Sequence, residues 1–118
     1  MILYKEFSFD SAHFLPHLPE GHPCKELHGH TYKLIVYIEE KELQPEGWIM
    51  DFKDVKQSVL PFIHQLDHKL LNNIEGLDNP TSELVAIWLW RKIKPQLPGL
   101  KRIELKETPG SGVIYEGE

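Results

Sequence analysis

Apolar and polar residues alternate with period two at four places along the chain, and between the second and third of these they recur at spacings of three and four. The pattern therefore reads strand, strand, helix, helix, strand, strand. From Leu3 to Asp10, Leu3, Phe7 and Phe9 share one parity, interrupted by Lys5, and the strand continues towards Ala12 and His13. A second strand from Thr31 to Glu40 sets Tyr32, Leu34, Val36 and Ile38 on one face and Lys33, Ile35 and Tyr37 on the other. The two pair antiparallel. After a turn from Lys41 to Gly47, Trp48-Ile49-Met50 reads as a short extended piece.

Asp51 is placed to cap a helix, because its carboxylate can accept from the exposed amides of the first turn. Phe52, Val55, Val59, Phe62, Ile63 and Leu66 then form the stripe of a helix lying on a sheet. Pro61 lacks the amide that would bond residue 57, which predicts a kink or a restart. A turn-rich connection from Asn72 leads to Asn79-Pro80-Thr81-Ser82-Glu83. There Pro80 suits the first position of a second helix, and either Asn79 or Thr81 is its cap.

Leu84 to Trp90 is apolar nearly all round, so this helix is sandwiched or its second face meets another subunit. Pro95, Pro98 and Gly99 end it. Lys101 to Glu107 alternates again with Ile103 and Leu105 inward, and a hairpin-length turn leads to a last strand from Gly112 to Glu116. An α+β domain satisfies this order: a four-stranded antiparallel sheet (ββααββ) with both helices on one face. Its edge strands invite pairing with other copies, so oligomers are expected.

Composition narrows the function. At 118 residues the chain fits a single domain, residues 1–118, and one cysteine excludes an intrachain disulfide. A net charge of −5 with scattered Lys and Arg leaves no basic stripe for nucleic acid. Charge arrives before any apolar run of signal length, which predicts neither signal peptide nor membrane span, and a cytoplasmic location.

Candidate chemistry gathers between Ala12 and His30, which hold five of the seven histidines and the cysteine. Pro16, Pro19, Gly21 and Pro23 forbid regular structure there, giving a long loop. At its end His28-Gly29-His30 enters the second strand. Residues two apart share a face, so both imidazoles can reach one ion, with Gly29 keeping bulk away. His13, ending the first strand, is the natural third ligand. Three neutral imidazoles suit zinc and leave a position open for water or substrate. The plainer alternative is a histidine-rich loop that merely scavenges metal. Cys24 is a buried filler, a reactive thiol, or a fourth ligand that closes a structural site. His64 and His68 are four apart with no third ligand near, and His17, His22 and His64 read as surface or loop residues.

The motifs F-S-F-D-S-A-H at Phe7 to His13, C-K-E-L-H-G-H at Cys24 to His30, W-I-M-D-F at Trp48 to Phe52, L-D-H at Leu66 to His68, N-P-T-S-E at Asn79 to Glu83 and K-E-T at Lys106 to Thr108 occur in one order over nearly the whole chain. In these the sequence resembles the 6-pyruvoyl-tetrahydropterin synthase family, and most of all its carboxy-forming branch, which serves queuosine and other 7-deazapurines. A cysteine four residues before H-G-H, as Cys24 is, looks like that branch.

The resemblance implies a tunnelling-fold barrel closed by oligomerisation, a homo-oligomer (trimer or hexamer) with sites at subunit interfaces, and one zinc ion per subunit on His13, His28 and His30. It implies conversion of 7,8-dihydroneopterin triphosphate to 6-carboxy-5,6,7,8-tetrahydropterin, acetaldehyde and triphosphate. Cys24 would be the base, exchanging protons with His68, which Asp67 orients. Glu107 would anchor the pterin ring through two hydrogen bonds and join the proton relay. Alternatives are elimination of triphosphate without chain cleavage and, from another class, a non-catalytic zinc protein. A folate-pathway aldolase fits less well, having no role for three zinc histidines. Lys25, Lys69, Arg102 and Lys106 are the cations available to a triphosphate.

Overall fold

The computed structural model describes residues 1–118 and shows the expected α+β domain. In chain order it comprises β1 (Ile2–His13), β2 (His28–Glu39), α1 (Phe52–Leu66), β3 (Lys69–Leu70), α2 (Ser82–Ile93), β4 (Leu100–Thr108) and β5 (Ser111–Tyr115). The sheet order is β3-β1-β2-β4-β5. β1 and β2 pair antiparallel over their whole length, from Ile2 opposite Glu39 to His13 opposite His28.

One parity of each strand supplies the core: Phe7 and Phe9, then Tyr32, Leu34, Val36 and Ile38, then Ile103 and Leu105. Val55, Val59, Ile63 and Leu66 of α1 and Val85, Ala86, Leu89 and Ile93 of α2 complete the same cluster, so both helices cover one face. Leu34 is fully buried at its centre. Leu34→Ala is expected to cost about 2–5 kcal/mol, read as a lower urea midpoint at unchanged slope.

The sheet has five strands rather than the expected four. β3 is two residues long and runs parallel to β1 through Ser11–Lys69 and Ala12–Leu70. No alternation can be read at that length. Pro61 does not interrupt α1, which runs through it without the expected restart. Both Pro61 and Gln57 are exposed, so the carbonyl left without its amide can turn to water. Trp48-Ile49-Met50 forms bends instead of a strand, with only Ile49 fully buried.

Asp51 does cap α1, accepting from the Lys53 amide at 2.9 Å. For α2 the cap is Thr81, accepting from the Leu84 amide at 3.2 Å. Pro80 therefore lies before the helix, not inside its first turn. The second apolar face of α2 is partly covered within the chain, where Trp90 meets Tyr115 edge-on at 5.6 Å. No helix is long and apolar enough to cross a membrane.

Two features bear on assembly. β3 meets only Ser11 and Ala12, so the outer side of β1 from Ile2 to Phe9 has no strand partner, and β5 forms the other edge. The helix-free face carries Tyr4 against Tyr37, Arg102 over Tyr37 and Lys33 near Glu6.

Candidate metal centre

Strand register explains why three distant histidines meet. His13 stands opposite His28, and Ser11 opposite His30, so all three rings project from the helix-covered face at one end of the β1–β2 ribbon. Lys106 of β4 stands opposite Lys33, which puts the next residue, Glu107, on that same inner face beside Tyr32. One ligand atom from each of His13, His28, His30 and Glu107 lies within 4.8 Å of the others. Around a tetrahedral zinc with bonds of about 2.0–2.1 Å, ligand atoms stand roughly 3.3 Å apart, so small shifts of these side chains seat an ion. The ring centroids are 4.6, 4.9 and 5.2 Å apart in edge-on pairs.

Hydrogen bonds fix which nitrogens face inward. His13 Nδ1 lies 2.9 Å from the Pro80 carbonyl and His28 Nδ1 2.6 Å from the Glu26 carbonyl. A carbonyl only accepts, so both Nδ1 atoms hold the proton and both Nε2 atoms present lone pairs. Those two Nε2 atoms are 3.0 Å apart. Facing lone pairs repel unless a cation joins them. The buried His30 Nε2 has no hydrogen-bond partner of its own; Glu107 Oε1 stands 2.9 Å away without hydrogen-bond alignment. Three nitrogens and a carboxylate that do not satisfy one another fit a divalent ion.

His13 is fully buried, and burial is the largest cause holding its pKa below 6.5, so it stays neutral as a ligand must. The sign of the pH effect follows. Above pH 6.5 folded and unfolded chains both hold this imidazole neutral and nothing is lost. Below it the unfolded chain takes up the proton first, so stability declines until pH reaches the folded value. The metal-free protein is therefore expected to show a lower urea midpoint at pH 5 than at pH 7.5. An unchanged midpoint would contradict a buried neutral His13.

The remaining expected residues lie elsewhere. Asp67 caps the end of α1, and its Oδ1 accepts from the Asp10 amide at 2.9 Å and lies 3.1 Å from His68 Nδ1. The Asp10 amide is the main cause holding the Asp67 carboxyl below its usual value, with the His68 contact adding to it. His68 has a left-handed backbone, φ 58°, fixed by its amide bonding the Asp10 carbonyl at 2.6 Å. Such a conformation costs about 1–2 kcal/mol in a non-glycine residue, and here it stands the ring clear of the surface, 79% exposed.

Cys24 sits in a single 3-10 turn, Pro23–Lys25, whose cap is the His22 ring accepting from the Cys24 amide at 3.1 Å. Its carbonyl holds the Leu15 amide. It joins neither the histidine cluster nor the Asp10–Asp67–His68 group. The structure thus brings His13, His28, His30 and Glu107 together, Asp67 with His68, and neither group with the thiol.

Sequence reasoning missed four participants. Pro80 orients His13. Ser82 donates from Oγ to Glu107 Oε2 at 2.5 Å. Asn72 bonds both the amide and the carbonyl of Phe14, pinning the start of the loop. Asp10 joins Asp67 to Thr31, whose hydroxyl donates to its carboxylate. The only signal for Pro80 and Ser82 was the N-P-T-S-E motif. Gly29 proves less special than expected, since an added Cβ would meet the Ser11 carbonyl at an ordinary 3.4 Å.

Known proteins resemble this chain along nearly its whole length. The profile of the family described as 6-pyruvoyl tetrahydropterin synthase matches residues 2–118. A 6-carboxy-5,6,7,8-tetrahydropterin synthase from Synechocystis sp. is 42% identical over 120 residues, covering 97% of this chain and 92% of that protein. A dihydroneopterin monophosphate aldolase from Pyrococcus furiosus is 41% identical over 118 residues, covering 98% and 96%. The solved structure of Caenorhabditis elegans 6-pyruvoyl tetrahydropterin synthase superposes with a TM-score of 0.91 at 26% identity, covering 100% of this chain and 96% of that one.

Proposed function

We propose, from the premise that this chain belongs to the 6-pyruvoyl tetrahydropterin synthase family, that it is a zinc-dependent carbon–carbon lyase. With water, it would convert 7,8-dihydroneopterin triphosphate to 6-carboxy-5,6,7,8-tetrahydropterin, acetaldehyde and triphosphate, a step towards queuosine or another 7-deazapurine. One observation carries the reading: an unsatisfied three-histidine cluster lies in a chain that matches, along its length, a protein named for that product.

His13, His28 and His30 would hold the zinc, which would supply a Lewis acid for the oxygens of the substrate side chain. The protein's own part is proton movement. Cys24 takes a proton from the side chain and returns it through His68. Asp67, kept anionic by the Asp10 amide, holds the imidazole at Nδ1 and leaves Nε2 free to exchange. Glu107 anchors the pterin ring. Lys69 borders a cleft of about 610 Å³ with Asp10, Thr31 and His68, which makes it the best placed of the four cations for the triphosphate.

The His68 ring, held at Nδ1 by Asp67, projects from its subunit 79% exposed, and Cys24 belongs to neither polar cluster, which supports a site whose thiol and imidazole come from neighbouring subunits. The unpartnered outer side of β1 and the β5 edge support a homo-oligomer, trimer or hexamer, built by strand pairing.

The aldolase relative gives a second reading at nearly equal identity. Retro-aldol cleavage of a monophosphorylated side chain leaves the phosphate on a two-carbon aldehyde. Incubating the zinc-loaded protein separately with dihydroneopterin triphosphate and monophosphate decides. Acetaldehyde and a pterin carboxylate from the triphosphate support the proposal, and a phosphorylated aldehyde from the monophosphate favours the aldolase. Triphosphate release without acetaldehyde means elimination alone. Bound metal with no turnover of either substrate means a non-catalytic zinc protein.

A further inference from the structure

Glu107 is asked to do two things that its geometry does not allow together. Anchoring a ring amine and a ring nitrogen requires both carboxylate oxygens to be free to accept. In the structure both are engaged. Oε2 accepts the Ser82 hydroxyl at 2.5 Å, and Oε1 faces the orphaned His30 Nε2 at 2.9 Å.

Oε1 stands 2.9 Å from His30 Nε2, slightly inside the roughly 3.3 Å that two ligands of one tetrahedral ion would keep, so a small opening of the pair admits the ion. It also lies within 4.8 Å of the chosen nitrogens of His13 and His28. The Ser82 bond takes the other oxygen, which is the arrangement of a one-oxygen carboxylate ligand steadied by a neighbouring hydroxyl. Ser82 opens α2, whose N-terminal end favours a carboxylate.

We infer that Glu107 is a fourth, exchangeable ligand of the three-histidine centre, held there through Ser82 and withdrawn when a pterin ring takes its carboxylate. The inference deepens the proposed function and its exchange step rests on that reading. In the resting protein the ion is closed to water and its charge is partly neutralised, which restrains chemistry on anything but the right ring. Ring binding then opens the vacant position. Because ion and ring compete for one carboxylate, each weakens the other, and the coupling is reciprocal.

Two measurements test it, neither of them turnover. The first is zinc affinity by chelator competition, with cobalt(II) absorption as a reporter of coordination, in the parent, Glu107→Gln and Ser82→Ala proteins. Glu107→Gln, nearly isosteric, is expected to lose at least about tenfold in affinity and to change the cobalt spectrum, with Ser82→Ala showing a smaller loss. Equal affinity and an identical spectrum in Glu107→Gln would overturn the ligand assignment.

The second is binding of a side-chain-free pterin to metal-free and zinc-loaded protein. The metal-free form is expected to bind about five- to a hundredfold more tightly. Equal affinity would overturn the exchange. Failure of the ring to bind either form would overturn the exchange together with the pterin reading, and the ligand assignment would still be decided by the metal measurement.

Discussion

His28→Ala is expected to strip the protein of its metal while leaving it folded. A structural zinc site is worth about 10–16 kcal/mol in all, so losing one of its ligands should weaken binding by a hundredfold or more. His28 is the informative choice among the three. It is only half-buried, at the mouth of β2, and its Nδ1 is tied to the nearby Glu26 carbonyl, so its removal opens no hole in the core. His13 is fully buried and bonded to Pro80, which mixes metal loss with destabilisation. Metal content after dialysis, measured beside the urea midpoint, separates the effects. A His28→Ala protein with stoichiometric zinc and full turnover would mean the ion sits elsewhere.

Cys24→Ala should do the reverse: keep the metal and lose turnover by about 10²- to 10⁴-fold, the usual worth of a positioned acid or base. The thiol joins neither polar cluster, and the hydrogen bonds of this residue are made by its backbone, which alanine retains. Metal analysis and single-turnover kinetics on the same preparation give both answers. Loss of zinc from Cys24→Ala would show the sulfur to be a ligand and the base to be another group.

The fold was legible because most of it is periodic. Tyr32, Leu34, Val36 and Ile38 announce a strand with one buried face, and the α1 stripe from Val55 to Leu66 announces the helix that covers it. β3 was not legible, since its two residues pair only with Ser11 and Ala12 and are brought there by the turn after α1, where the His68 amide bonds the Asp10 carbonyl. Pro61 misled because the rule against proline counts a lost hydrogen bond, and on an exposed face water replaces it.

At the site, His28 and His30 were readable from period two alone, and His13 from its place at a strand end. Glu107 and Ser82 were not readable as members of that cluster. Their meeting depends on the β2–β4 register and on where α2 begins, and a sequence states neither. That Cys24 joins neither polar cluster was equally hidden, because it depends on how the loop after β1 is laid down, and periodicity states nothing about a loop.

On the proposed relay between subunits, the bent-out backbone at His68 has a consequence for inheritance. A folded monomer would carry a base without its proton donor and a donor without its base, and each half would be mute alone. Two crippled alleles, one lacking the sulfur and the other the imidazole, could then repair each other in mixed assemblies, while dilution silences even the intact gene product.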